Sequence, residues 1–193
     1  QAKTGDMTLH TAPLPISGGT IAGQIWLMLA SDGRYRQASL DERSHLIVEV
    51  LLRAYTDIGV SPVAPISTFR THTLMRTYDP SVHVAQTSRP PTRKSALPVI
   101  AGGDGVTGFV VGDNDGSTVA CNLTLGSPFG IGAWDDVTGI VPAATSTAST
   151  IGSYIGPVVL VRGPNDQVVF AGAASGGVAA PAASYVTGTI TAN

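Results

Sequence analysis

Residues 105–130 read G-V-T-G-F-V-V-G-D-N-D-G-S-T-V-A-C-N-L-T-L-G-S-P-F-G, and three signals in this stretch agree. Residues 106–111 are an apolar, β-branched run, Asp113-Asn114-Asp115-Gly116 has turn composition, and residues 118–125 return with alternating character. That combination predicts a β-hairpin. Side chains alternate along a strand, so Val106, Gly108 and Val110 share one face of the first strand, and Thr107, Phe109 and Val111 share the other. Thr107 near the start of the hairpin and Thr124 near its end bring hydroxyls to the same end of the pair.

Beyond this hairpin, residues 126–132 and Trp134-Asp135-Asp136 form a Gly-rich bend, with Asp135 and Asp136 read as a solvated turn. Residues 157–162 and 167–171 flank Gly163-Pro164-Asn165-Asp166 and predict a second hairpin. Ahead of the central stretch, residues 7–10 read as a short strand. Pro13 and Pro15 then bar regular structure until Ser17, which is placed to cap a helix. Ile21, Ile25, Met28 and Leu29 recur at helical spacing through Ala30, and Asp32-Gly33 ends the run. Ser39-Leu40-Asp41-Glu42 is a capping box. Ile47, Val50, Leu51, Ala54 and Ile58 form one apolar face after it, with Gly59 as the expected stop and His45 off the stripe as a solvated residue.

The 193 residues, 43% hydrophobic and only 12% charged, are enough to bury a core in one domain spanning 1–193. Its expected parts are a strand plus two helices over 1–60, a long surface loop with room for one short helix over 61–104, and two hairpins with connecting loops over 105–193. The net charge of −2 gives no electrostatic reason to bind nucleic acid or an anionic membrane. No apolar run approaches the roughly 18 to 20 residues that cross a bilayer, so no transmembrane segment is expected. Cys121, the sole cysteine, excludes an intramolecular disulfide and a cysteine-cluster metal site, and reads as a small buried apolar residue. His72 and His83 have no Cys, Asp or Glu at ligand spacing, so neither metal nor cofactor is expected. The basic cluster at residues 89–94 reads as a solvated patch or a partner contact.

The central hairpin resembles the start of the small subunit of γ-glutamyltransferases, which are N-terminal-nucleophile (Ntn) hydrolases. The family pattern there is roughly T-T-H-x-S-V-V-D-x-D-G-N-A-V-x-x-T-x-T-L-N-x-x-F-G. Asp113, Asp115, Gly116, Val119, Thr124, Leu125, Phe129 and Gly130 coincide with it. Pro13 to Gly19 is similar to P-P-x-S-S-G-G late in the large subunit, and residues 53–57 are similar to its R-A-Y-A-D element. The resemblance implies a partial Ntn-hydrolase-like αββα layered fold, α/β or α+β, with mainly antiparallel sheet. It also implies an oxyanion hole at Gly176 and Gly177.

The position of the family's nucleophile, the first Thr, is held here by Val106. An isopropyl group can neither cleave the preceding peptide nor attack a γ-glutamyl carbonyl. Gly108 stands where the family has His. Ser153 alone remains of a serine pair that grips the substrate's α-carboxylate, and Tyr154 holds the other place. The resemblance runs from about Met7 to Val178, with no counterpart among these residues for the earlier large-subunit portion or the end of the small subunit. Such a slice is expected to be completed by a protein partner or by self-association. The start at Gln1 fits signal removal and an engineered start equally, and the family's habit points to a periplasmic or extracellular location. Two functions follow as expectations: a noncatalytic structural or interaction subunit, or a γ-glutamyl hydrolase or transferase fragment that uses Thr107 or Thr124 and is completed by another chain. A small-ligand module using the amides at Gly18-Gly19 and Gly176-Gly177 has less support.

Overall fold

The computed structural model describes residues 1–13, 16–30, 33–60, 68–76, 78–79, 106–144 and 155–175. Their elements are strands β1 (Ala2–Thr4) and β2 (Met7–Thr11), helices α1 (Ser17–Ala30), α2 (Arg34–Gln37), α3 (Leu40–Val60) and α4 (Thr68–Met75), then strands β3 (Val106–Gly112), β4 (Thr118–Thr124), β5 (Ile155–Arg162) and β6 (Gln167–Ser175). The architecture is α+β with antiparallel sheets: four strands in the order β1-β2-β5-β6, and β3-β4 as a separate pair.

Both predicted hairpins form. In the first, Val106 pairs with Thr124 and Gly112 with Thr118, closing on the Asp113 turn. In the second, Leu160 pairs with Phe170 but Val161 with Val168, so Val169 is an extra residue, a bulge in β6. The strand expected at residues 7–10 lies at the middle of the four-stranded sheet, bonded on one side to β5 from Met7↔Arg162 to Thr11↔Val158. Its other neighbour, β1, is an addition to the sequence reading. Thr4 pairs with Met7 around a two-residue Gly5-Asp6 loop, and Gly5 at φ 58° suits the first position of a type II′ turn.

The core is built on α1. Ile21, Ile25, Trp26, Leu27, Met28 and Leu29 are all buried, so this helix is apolar nearly all round. It therefore needs cover on more than one side, and it has it: the sheet, with Leu9, Val158 and Leu160, on one flank, and Leu46, Val50 and Ala54 of α3 on another. The approach to the sheet is close. A Cβ on Gly19 would lie 2.4 Å from the Ala12 carbonyl oxygen, and one on Gly156 of β5 would touch Gly18. Gly18-Gly19 is thus a packing contact between helix and strands, which is reason enough for its glycines. The side chain of Ser17, the expected cap, lies outside the described set.

Several expectations are corrected. Among the described residues, 1–60 hold three helices, because Arg34–Gln37 forms a single turn with Tyr35 buried beneath it. Arg43 of α3 clamps that turn, donating from Nε to the Tyr35 carbonyl at 3.0 Å and from NH2 to the Arg36 carbonyl at 2.9 Å. Gly59 does not stop α3, which runs to Val60. The expected cap does form: the Glu42 N–H donates to Ser39 Oγ at 3.3 Å. His45 is not solvated. Its side chain is 11% exposed, its Nε2 is 3.6 Å from Glu49 Oε1, and its ring meets that of Tyr78 at 5.7 Å between centroids. Glu49 also pairs with Arg53, whose Nε donates to the Leu74 carbonyl at 2.9 Å, so this buried polar group ties α3 to the end of α4. Burial pushes the Tyr78 hydroxyl pKa upward and lowers that of Arg53. Helix α4 falls within 61–104, where one short helix was expected; residues 80–105, with His83 and the basic cluster, lie outside the described set.

Candidate functional site

The candidate site is the open end of the β3–β4 hairpin. Register makes Val106 and Thr124 direct cross-strand partners, so their side chains share a face at the head of the pair. The Thr124 hydroxyl oxygen accepts a hydrogen bond from the Gly126 N–H at 2.9 Å, which holds the chain as it leaves β4. Gly126 has φ 74°, a conformation that favours glycine there. Thr107 pairs with Leu123 on the opposite face and is exposed. The structure therefore brings Thr124 beside position 106 and sets Thr107 apart from both. Gly176, Gly177, Ser153 and Tyr154 lie outside the described residues.

Two residues that were not singled out as functional fix where this end sits. Gly108 packs on the backbone of β6: a Cβ there would lie 1.8 Å from the Ala173 carbonyl oxygen. Its cross-strand partner Asn122 donates from Nδ2 to the carbonyls of Ala173 and Ala174 at 3.1 and 3.2 Å. The inner face of the hairpin is thereby clamped to β6. A glycine inside a strand pattern marks a close backbone approach, and that signal was present at Gly108. At the other end, Asp113 Oδ1 accepts from the N–H groups of Asp115 at 3.0 Å and Ser117 at 2.8 Å, with Gly116 at φ 88°. This is the aspartate-led turn read from the sequence.

After β4 the chain makes a hydrogen-bonded arm over residues 125–144. Its rungs run from the Ala144 N–H to the Leu125 carbonyl, from the Ile131 N–H to the Pro142 carbonyl, and from the Asp135 N–H to the Ile140 carbonyl. Ser127 Oγ donates to the Gly130 carbonyl. At the tip, hydrogen bonds from the Thr138 hydroxyl and the Val137 N–H hold the Asp135 carboxyl below the usual carboxylate range. Trp134 Nε1 donates to Asp136 Oδ1 at 2.7 Å. Asp135 and Asp136 are thus turn-forming groups, as read.

A polar cleft of about 900 Å³ opens between the turns of the two hairpins, lined by Asp6, Asn114, Asp115, Arg162, Asn165 and Asp166 among others. It sits at the far end of β3 from Val106, about 20 Å along a seven-residue strand. It therefore offers nothing to the Val106–Thr124 pair. Among the described residues no group of three or more His, Cys, Asp or Glu side chains is placed to hold a metal ion, and no helix is long and apolar enough to cross a membrane. Cys121 is half-buried on the outer face of β4, more open than the core position expected for it. No protein-family model matches the chain, and neither does any curated protein.

Proposed function

We propose that this chain is a noncatalytic, γ-glutamyltransferase-like structural or interaction subunit of a larger exported complex, built on an incomplete Ntn-type αββα scaffold. The observation that carries the reading is Val106: hydrocarbon stands at the head of β3, directly across from Thr124, where the resembling family has its attacking hydroxyl. Gly108 supports it. The family pattern has His there, whereas here the β6 backbone leaves no room for any side chain.

The second reading, a γ-glutamyl hydrolase or transferase fragment, draws on Thr124, whose hydroxyl lies beside position 106. Its own nitrogen is locked in the peptide bond within β4, so the free amine that serves as base in the family is lacking. Thr107 points to the other face.

Intact mass under denaturing conditions, N-terminal sequencing and release of p-nitroaniline from a γ-glutamyl anilide test the choice. An uncut chain with no release is expected. A species beginning at Val106 or Thr107 that releases p-nitroaniline overturns the proposal.

A further inference from the structure

The hairpin has a second face. Register places Thr107, Phe109, Val111, Val119, Cys121 and Leu123 together, opposite the face clamped to β6. Phe109 is 44% exposed, Val111 59%, Val119 58% and Leu123 55%, so the face is a bare sheet of large apolar side chains. Charge within the span that carries it is of one sign, with Arg162 of β5 lining the cleft beside Asp115. From 106 to 144 the chain has four carboxylates (Asp113, Asp115, Asp135 and Asp136) and no Lys, Arg or His. Asp113 and Asp135 are fixed by backbone N–H donors and Asp136 by Trp134, so these charges are held in place without a cation in the span.

The dimensions fit one α-helix. Two strands side by side, with their side chains, present a strip roughly 10 Å wide, the diameter of one α-helix, about 10 Å. Seven-residue strands run about 23 Å, the length of a helix of about 15 residues. We infer that the outer face of β3–β4 docks one amphipathic helix of a partner protein, with an aliphatic stripe against Phe109, Val111, Val119 and Leu123 and with Lys or Arg flanking it toward the acidic turn. The docking deepens the interaction-subunit reading and rests on it for its biological sense. A working enzyme could hold the same helix, so the p-nitroaniline result and the binding result fail separately.

The probe is a labelled Leu/Lys amphipathic helix of about 15 residues, matched to the face by length, with its Leu/Glu counterpart as control, read by fluorescence anisotropy. Binding of the Lys helix, weakening with salt, and no binding of the Glu helix are expected. Val111→Asp with Val119→Asp, two exposed cross-strand partners, is expected to weaken binding at least about tenfold. Attraction by charge alone would instead strengthen, because the variant adds two negative charges. Circular dichroism confirms that the variant folds. Equal binding of the two helices, or binding kept or raised in the variant, overturns the inference. A dimer in sedimentation that the variant abolishes overturns it in favour of a second copy, and retention on phosphatidylcholine vesicles overturns it in favour of a lipid surface.

Discussion

Replacing Gly108 by alanine tests the clamp that positions the candidate site. The new Cβ would sit 1.8 Å from the Ala173 carbonyl oxygen and 2.9 Å from its carbon, both backbone atoms that no rotamer change can move aside. An ordinary C···O contact is about 3.3 Å or more, so the hairpin must retreat from β6 by about 1.5 Å. The Asn122 bonds, at 3.1 and 3.2 Å, cannot survive that shift. Losing both costs about 1–3 kcal/mol, and overpacking without retreat costs about 1–3 kcal/mol. These are partly alternatives, since retreat relieves the overlap. Alanine also recovers about 0.4–1 kcal/mol by restricting the unfolded chain. A net loss of about 2–3 kcal/mol is expected. Asn122→Ala should cost less, because it also removes a buried Oδ1 that has no hydrogen-bond partner among the described residues. The double variant should cost little more than Gly108→Ala alone, since both changes act on one contact. Urea denaturation followed by circular dichroism gives the energies, and hydrogen exchange at the Phe109 and Cys121 amides shows whether the hairpin lifts. A Gly108→Ala protein within about 0.5 kcal/mol of the parent with unchanged exchange refutes the clamp.

Leu46→Ala, at a side chain 1% exposed between α3 and α1, should destabilise the chain by about 2.7–5 kcal/mol in the same titration. Arg53→Met leaves the buried Glu49 without its guanidinium and should cost about 3 kcal/mol, whereas Glu49→Leu with Arg53→Met should recover most of it. Equal losses in the single and double variants would show that the pair's charges are not what matters. At Asp135 the folded-state pKa is depressed, so its contribution to arm stability is complete above the ordinary aspartate value and fades as pH falls through the folded value. A carboxyl NMR titration should show the low midpoint, and Thr138→Val should raise it. A parent midpoint at or above the ordinary aspartate value refutes the assignment.

Elements with strong local chemistry were legible. Alternation flanked by Asp113 to Gly116, and by Gly163 to Asp166, marked both hairpins, because turn residues and register are set within a few positions. The separation of Thr107 from position 106 followed from the same two-residue period. Strand β1 was missed because three residues are too few to show alternation, although Gly5-Asp6 is a two-residue hairpin loop. Helix α2 was missed because its one turn is held by Arg43 from another element. The burial of His45 depends on Tyr78, 33 residues away, and the seam between β2 and β5 joins residues some 150 positions apart. No local pattern encodes either. Nor could spacing reveal that the outer hairpin face is bare, since a buried and an exposed apolar face read alike.

The seam between β2 and β5 carries one more implication. Every element before residue 80 lies on one side of it in sequence, and every strand after residue 105 on the other. Scission of the backbone anywhere between those points would leave five ladder pairs and the packing of α1 on Val158 and Leu160 to hold the fragments as a noncovalent pair. Elution at full size from a native column therefore carries no information about backbone integrity, and halves expressed apart are candidates for complementation.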